Sequence, residues 1–270
     1  MKFVPILAAA SAFALAACGS GDTVDEAETD LVDSEAMSAE VEPVQWAYDG
    51  EGGPENWGSI SADNAVCDTG TRQSPFDIPA TAEVSQEGAP VLAIDWPEGP
   101  LVVDGEGYNA NFNAPEGGSI TIDGETYDFI QMHMHTPSEY LLAGEQYAAD
   151  AHFVHANDAG ELAVVGVFFE KGEANPDVDT LWSGITTEDE TVTPEGATFD
   201  PEALLPEERD YVHFMGSLTT PPCSENVRWF VMTNPVTISA EQAQMHTDAF
   251  GNTARPVQPM NDRDIMFADM

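Results

Sequence analysis

The sequence has 270 residues, of which 49 are acidic and only 7 are lysine or arginine, so its formal net charge is −42. This charge argues against nucleic-acid binding, because no basic surface is available to neutralise phosphates, and against electrostatic docking on anionic lipid. Hydrophobic residues make up 42% of the chain, which suffices for a buried core under a solvated acidic surface, as in proteins adapted to saline surroundings.

The N-terminal segment is typical of an export signal. Residues 1–17 contain one lysine and then an apolar run too short to span a bilayer. Leu15–Cys18 (LAAC) resembles the bacterial lipobox, in which Cys18 is lipidated and becomes the mature N-terminus. The alternative is an ordinary signal peptide cleaved at an A-x-A site. Both predict an exported protein of a Gram-negative-like bacterium, either periplasmic or held on a membrane through its N-terminal lipid alone.

Residues 18–44 are predicted to be a disordered acidic spacer. Residues 22–44 contain no lysine or arginine and almost no large apolar side chain, so they cannot bury enough surface to offset chain entropy. An acidic tail that recruits a partner is the alternative. From residue 45 to residue 270 we find no internal repeat and no second change of composition, which predicts a single domain.

This domain is predicted to be mainly β, of the α+β class, with a large mixed sheet and short peripheral helices. Nine alternating or β-branched runs, separated by Gly, Pro, Asn and Asp, predict strands. The runs are Ala89–Asp95, Leu101–Val103, Asn109–Asn113, Ser119–Ile122, Tyr127–Thr136, Tyr147–Ala156, Leu162–Glu170, Tyr211–Leu218 and Val227–Val236. Short helices are predicted around Pro176–Ile185, Pro201–Leu205 and Ser239–Phe250, the last beginning with a capping serine.

The domain contains two cysteines, Cys67 and Cys223. In an exported protein such a pair favours one disulfide, and two free buried thiols are the alternative. The bridge would close a loop of about 157 residues, for which chain entropy predicts a stabilisation of about 5 kcal/mol.

Three histidines have the spacing of metal ligands. His133 and His135 are two residues apart in a predicted strand and therefore face the same side, while His152 lies in a second run that could pair beside the first. Three neutral imidazoles suit Zn²⁺ and leave its fourth position open for water, as in catalytic sites. Gln131 and Asp150, each two residues before a histidine, are candidate partners for the outer ring nitrogens. The alternative is a half-buried histidine pair without metal.

The other three histidines are assigned no chemistry. His155 is three residues after His152, so on a strand it points to the opposite face and is predicted to be a packing residue. His213 and His246 are predicted to occupy surface or structural positions.

Several motifs, in order along the chain, resemble those of α-class carbonic anhydrases, including exported bacterial members. Gln131–Glu139 resembles the family's Q-x-H-x-H-T-P-S-E segment, and Ser217–Cys223 resembles its S-L-T-T-P-P loop with the cysteine that follows in bacterial members. Further matches are Arg72–Ile78, Trp46, Tyr48, Trp57, the Ser138–Val154 signature with two substitutions, and Arg255–Pro259. The resemblance covers about residues 45–268. It implies a ten-stranded, mostly antiparallel central sheet with zinc at the base of a conical cavity.

The resemblance implies reversible hydration of carbon dioxide to bicarbonate and a proton by Zn²⁺ on the three histidines. In carbonic anhydrases such a zinc ion lowers the pKa of its bound water to about 7 and generates hydroxide. Thr219 would accept a hydrogen bond from this hydroxide, and Glu139 would accept the Thr219 proton, which leaves the nucleophilic lone pair directed at the substrate. The shorter Asp150 replaces a glutamate of the family, which predicts a longer contact to His152.

The implied substrate pocket is formed by Val154, Val164, Leu218, Thr220, Val227 and Trp229, whose residue types alone would suggest core packing. Tyr48 matches a cavity-wall tyrosine of the family. Tyr108 is assigned the position at which the fastest members carry a proton-shuttle histidine. A tyrosine of pKa about 10 relays protons poorly at neutral pH, so turnover is predicted to depend on added buffer unless a carboxylate or another group relays the proton.

Two other functions stay open at this stage. A catalytically impaired binding module would be signalled by loss of a zinc histidine, and all three are present. A zinc esterase is the second alternative, although the implied pocket suits a substrate no larger than carbon dioxide. The oligomeric state is left open, with a homodimer as one alternative, and no nucleic-acid partner is expected.

Overall fold

The computed structural model of the chain describes residues 44–270. The predicted signal peptide, the Cys18 lipidation site and the acidic spacer up to residue 43 lie outside the described residues. Within the described part, no helix is both long enough and apolar enough to cross a membrane.

Residues 44–270 contain seventeen strands. The strands are β1 (Asp77–Ile78), β2 (Leu92–Asp95), β3 (Gly99–Pro100), β4 (Val103–Gly105), β5 (Ala110–Asn113), β6 (Ser119–Ile122), β7 (Glu125–His135), β8 (Leu141–Leu142), β9 (Glu145–Gln146), β10 (Ala149–Ala156), β11 (Leu162–Lys171), β12 (Thr191–Val192), β13 (Thr198–Phe199), β14 (Tyr211–Ser217), β15 (Glu225–Met232), β16 (Val236–Ile238) and β17 (Met266–Ala268). Each of the nine predicted runs overlaps a strand. The run Val227–Val236 is divided between β15 and β16, and Pro235, which has no N–H to donate to a ladder, lies between them.

Twelve of these strands form one mixed sheet. Its main order is β12-β4-β5-β7-β10-β11-β15-β14-β17, with β6 also pairing with β7, β2 with β6, and β16 with β11. Strand β11 pairs in parallel with β15 and β16, whereas the other ladders of this sheet are antiparallel. The mainly β class is confirmed. As expected, the sheet is mostly antiparallel, and its two parallel ladders make it mixed. It has twelve strands instead of the expected ten, because segments of two or three residues such as β12 and β16 extend it.

The helices are short and peripheral. The α-helices are α1 (Trp57–Ile60), α2 (Val66–Thr69), α3 (Pro176–Trp182) and α4 (Ala240–Phe250), and the 3-10 helices are Gly50–Gly52, Pro54–Asn56, Ala62–Asn64, Thr81–Glu83 and Pro201–Leu204. Helix α4 begins with a capping box, in which the Ser239 hydroxyl accepts from the backbone of Gln242 and the Gln242 side chain accepts from the backbone of Ser239.

Apolar side chains are buried on both faces of the sheet. Residues such as Met132, Met134 and Phe153 belong to one cluster, and Phe168 and Trp229 belong to a second. The two sets alternate along β10, β11 and β15, because successive side chains of a strand point to opposite faces. Along β7, the predicted ligands His133 and His135 alternate with Met132 and Met134 of the first cluster. They therefore lie on the sheet face that carries the second cluster.

The predicted disulfide is confirmed. Cys67 and Cys223 are bonded across 156 residues of sequence, and they pack with the fully buried Trp57 in a third small apolar cluster. The bridge connects α2, which contains Cys67, to Cys223 in the loop that also contains Thr219 and Thr220.

Candidate metal centre and its cavity

Two neighbouring strands bring the three predicted ligands together. Strands β7 and β10 pair antiparallel so that His133 lies directly opposite His152, and His135 lies opposite Asp150. One nitrogen from each imidazole lies within 4.8 Å of those of the other two. His135 and His152 are buried and His133 is half-buried. The alternation of β7 and its pairing register therefore produce a compact cluster of three imidazoles.

The hydrogen bonds of the rings determine which nitrogens face one another. His133 Nδ1 donates to Oε1 of Gln131 at 2.9 Å, and His135 Nδ1 donates to the carbonyl oxygen of Thr253 at 2.7 Å. His152 Nε2 lies 3.3 Å from Oδ2 of Asp150. Hydrogen bonds thus engage the outer nitrogens of His133 and His135, and Asp150 lies beside that of His152 without a hydrogen bond to it. Nε2 of His133, Nε2 of His135 and Nδ1 of His152 are left for a shared ligand.

These residues fit a zinc ion. His135 Nε2 is buried and has no hydrogen-bond partner among the described residues, which is unfavourable unless another group satisfies it. Burial is the main cause that lowers the pKa of all three imidazoles below the usual value, so they remain neutral and can act as ligands. Three neutral imidazoles, each with an oxygen atom next to its outer nitrogen, match a catalytic zinc site with one open position.

A buried glutamate lies beside the imidazoles. Glu139 Oε1 accepts a 2.8 Å hydrogen bond from the backbone N–H of Arg255, and Oε2 lies 3.5 Å from His135 Nε2 and 3.8 Å from His152 Nδ1. Burial and then the charge of Asp150 raise the pKa of Glu139, whereas hydrogen bonds from the Thr219 side chain and from Arg255 lower it. The predicted pair Thr219 and Glu139 is thus brought together next to the ligands.

Asp150 is shared between two partners. Its Oδ2 accepts from the backbone N–H of Glu139 at 3.0 Å, and the same oxygen makes the 3.3 Å contact to His152 Nε2. That contact is longer than the 2.7–2.9 Å typical of charge-assisted hydrogen bonds. The short aspartate side chain reaches both groups but approaches the imidazole less closely.

A polar cavity of about 220 Å³ opens beside the ligands. Its lining residues are Tyr48, Glu106, Tyr108, Asn109, Asn111, Gln131, His133, His135 and Thr220. The predicted cavity residues Tyr48 and Tyr108 are therefore part of its wall, together with Thr220 of the predicted pocket. Burial is the main cause that raises the pKa of both tyrosines, so their hydroxyls stay protonated.

Of the predicted pocket residues, Thr220 lines this cavity, whereas the five apolar ones belong to or pack against a buried cluster. Val154 is opposite Val164 across β10 and β11, and Val164 is opposite Trp229 across β11 and β15. Val227 belongs to the same cluster, and Leu218 packs against it. The Trp229 ring lies 4.8 Å from the His152 ring between centroids. An apolar wall thus borders the metal centre on the side of His152.

Residues distant in sequence complete the site. Arg255 belongs to a motif that matches the family, but the sequence assigned no role in the site to it or to Thr253. Thr253 supplies the acceptor for His135, and Arg255 supplies a donor to Glu139. The Arg255 guanidinium also donates to the Cys67 carbonyl at 3.0 Å and to the Gln73 amide oxygen at 2.9 Å, so it connects the disulfide segment to the metal centre. Glu106 in the cavity wall was likewise missed, because a lone glutamate in a loop carries no signal.

The remaining histidines are structural. His155 Nε2 accepts from the Trp96 indole at 3.0 Å on the opposite face of the sheet, as predicted. His213 Nδ1 donates to the carbonyl oxygen of Trp229 at 2.9 Å. His246 Nδ1 lies 2.8 Å from the Thr136 hydroxyl. Burial is the main cause that lowers the pKa of these three, so they are neutral.

Known proteins share this sequence pattern and fold. A sequence model of the family described as eukaryotic-type carbonic anhydrase matches residues 52–269. A protein named carbonic anhydrase from Pectobacterium atrosepticum is 36% identical over 224 residues, covering 83% of this chain and 91% of that protein. The α-carbonic anhydrase of Thermovibrio ammonificans, solved with the inhibitor sulfanilamide, has a TM-score of 0.78 at 38% identity, with 82% and 98% coverage. The Photobacterium profundum α-carbonic anhydrase has a TM-score of 0.76 at 43% identity, with 82% and 100% coverage.

Proposed function

Because the chain belongs to the eukaryotic-type, or α, carbonic anhydrase family, we propose that it reversibly hydrates carbon dioxide to bicarbonate and a proton, with Zn²⁺ held by His133, His135 and His152. The observation that carries this proposal is the convergence of three neutral imidazoles beside a polar cavity. When bound, zinc lowers the pKa of a coordinated water to about 7 and supplies hydroxide at neutral pH, a value known from carbonic anhydrases themselves.

Thr219 and Glu139 would orient the nucleophile. A hydroxyl has one proton to donate, and a hydrogen bond to the neighbouring Glu139 carboxylate would engage it. The lone pairs of the Thr219 oxygen would then be left to accept a hydrogen bond from hydroxide, which directs the hydroxide lone pair away from Thr219. Both side chains are buried, which favours a fixed geometry. An anion without a proton could not make the same hydrogen bond.

The apolar wall would hold carbon dioxide next to the nucleophile. Carbon dioxide is small and apolar, and Val154, Leu218 and Trp229 belong to or pack against the cluster that borders His152. Val164 and Val227 belong to the same cluster and are almost fully buried. Thr220, which follows Leu218 and Thr219 in sequence, lines the polar cavity through which bicarbonate would leave.

We propose further that the protein is exported, with residues 1–17 as signal peptide and Cys18 as the lipidated N-terminus. The Leu15–Cys18 sequence supports lipidation, and the disulfide between Cys67 and Cys223 fits an oxidising compartment. Mass spectrometry of the mature N-terminus tests this directly. A diacylglyceryl group on Cys18 is expected, and a free Cys18 or an uncleaved leader would contradict the proposal.

Stopped-flow hydration of carbon dioxide, run in parallel with ester hydrolysis, tests the reaction and the role of Thr219. The zinc-loaded wild type is expected to accelerate hydration strongly and ester cleavage only weakly. Thr219→Val should lower kcat/KM for hydration by roughly 10²-fold, the usual loss for one orienting hydrogen bond at a reacting oxygen. The matched control Thr219→Ser keeps the hydroxyl and should stay within a few-fold of wild type.

Three results would contradict the proposal. Equal rates for the valine and serine variants would remove the orienting role of Thr219. Efficient ester hydrolysis without hydration would identify a zinc esterase. The absence of both activities in the folded, zinc-loaded chain would identify a binding module.

A further inference from the structure

Every hydration cycle releases a proton that has to leave the metal centre. If the activated water has a pKa of about 7 and re-protonation proceeds at a ceiling of roughly 10¹⁰ M⁻¹s⁻¹, direct loss to water reaches only about 10³ s⁻¹. A faster enzyme needs a group that collects the proton and transfers it to buffer. The lining of the cavity therefore decides which group is available.

Neither histidine nor tyrosine is suited to this task in the described part of the chain. His155, His213 and His246 are buried away from the cavity, and none of them lines it. Tyr108 lines the cavity, but its pKa is raised by burial and by the neighbouring Glu106, so it neither accepts nor releases a proton at neutral pH. Tyr48 is half-buried, and burial raises its pKa as well.

Glu106 lies where a group that transfers protons from the metal centre to buffer has to lie. It lies in the loop between β4 and β5, where its backbone N–H donates to the carbonyl oxygen of Asn109 at 3.0 Å. It is exposed to solvent and lines the same cavity as the ligands His133 and His135, in which it is the one carboxylate among the lining residues. Next to it, the Tyr108 ring packs 4.3 Å from the Trp46 ring between centroids and so braces this part of the wall.

From this placement we infer that the Glu106 carboxylate relays protons between the metal centre and solvent, an inference that rests on the proposed function. A proton from the activated water passes through intervening water and forms an O–H bond at a Glu106 carboxylate oxygen, while hydroxide stays at the centre. That O–H bond then breaks as a buffer base takes the proton, which restores the carboxylate for the next cycle.

Buffer dependence of turnover provides the test. We would compare the zinc-loaded wild type with Glu106→Gln, in a bulky sulfonate buffer and in imidazole, which is small enough to approach the centre itself. Glu106→Gln is expected to lose at least 10-fold in kcat in the bulky buffer, to keep kcat/KM for carbon dioxide, and to regain kcat in imidazole. Glu106→His should restore kcat in the bulky buffer. Glu116→Gln, an exposed acid in a turn outside the cavity, is the control and should match wild type.

A readout independent of activity checks the contact on which the inference depends. Since Glu106 raises the pKa of Tyr108, the tyrosinate absorbance assigned by difference to Tyr108→Phe should titrate at lower pH in Glu106→Gln. An unchanged kcat of Glu106→Gln in the bulky buffer, or equal losses in kcat and kcat/KM, would overturn the relay. A wild type that is inert in every buffer would instead overturn the proposed function.

Discussion

The disulfide between Cys67 and Cys223 is expected to supply a large part of the stability of the domain. Both residues are almost fully buried, and they join segments separated by 156 residues of sequence. Their backbone groups also contact the site, because the Cys67 carbonyl accepts from Arg255 at 3.0 Å and the Cys223 N–H donates to the Thr220 carbonyl at 2.8 Å. The perturbation is the double variant Cys67→Ala/Cys223→Ala.

The magnitude follows from the length of the closed loop. For a separation of 156 residues, the chain-entropy relation gives a stabilisation of about 5 kcal/mol at 25 °C. Domains have total unfolding free energies of about 5–15 kcal/mol, so the bridge accounts for a third or more of a typical value. With a urea m-value near the upper end of the usual range, about 2–3 kcal/mol per molar, the midpoint of unfolding should fall by about 2 M.

The assay is equilibrium unfolding in urea followed by circular dichroism. The oxidised wild type, the reduced wild type and the double variant are compared at the same zinc concentration. Reduced wild type and the double variant should unfold at similar, lower urea concentrations, and reductant should not change the double variant, which serves as the control. A midpoint shift below about 0.3 M, with two-state transitions for all samples, would refute the entropic argument.

Three further predictions concern the metal centre, the buried histidines and the acidic surface. Gln131→Ala removes the acceptor of His133 Nδ1 and should weaken zinc binding by roughly 10–100-fold in a chelator competition; unchanged affinity would contradict the assigned tautomer. Burial lowers the pKa of His213 in the folded protein to about 4, against about 6.5 in the unfolded chain. Below pH 6.5 the unfolded chain therefore binds a proton that the folded protein does not, and the free energy of unfolding falls by about 1.4 kcal/mol per pH unit down to pH 4. The stability difference between wild type and His213→Phe, measured by urea unfolding across this range, should show that slope, and a flat difference would contradict it. Since the net charge is −42, added salt should accelerate bicarbonate dehydration more than hydration of neutral carbon dioxide; equal salt effects on the two second-order rate constants would show that the charge is irrelevant to catalysis.

The local patterns of the chain predicted those parts of the fold and site that depend on neighbouring residues. The alternation around His133 and His135 predicted a strand with both imidazoles on one face, and the capping serine predicted the start of α4 at residue 240. The contact of Gln131 with His133 followed from the same spacing of two. Each of these features is determined by side-chain periodicity or by a hydrogen bond within a few residues.

Features that depend on long-range contacts could not be predicted in this way. The acceptor for His135 is Thr253, 118 residues away, and the donor to Glu139 is Arg255, 116 residues away. Both come from a segment without regular structure. Arg255–Pro259 matches a family motif, but no local periodicity or cap in this segment indicates that it packs on the metal centre. The short strands that extend the sheet to twelve, such as β12, were missed because two residues carry no periodicity.

The central claim is that the three imidazoles hold one zinc ion that makes the chain a carbon dioxide hydrase. The most direct test is to titrate zinc into the metal-free protein and follow hydration of carbon dioxide by stopped flow. The rate should rise in proportion to zinc, level off at one zinc per chain, and return to the buffer rate when a chelator removes the metal. A folded chain that binds one zinc through His133, His135 and His152 and still hydrates carbon dioxide no faster than buffer would contradict the account.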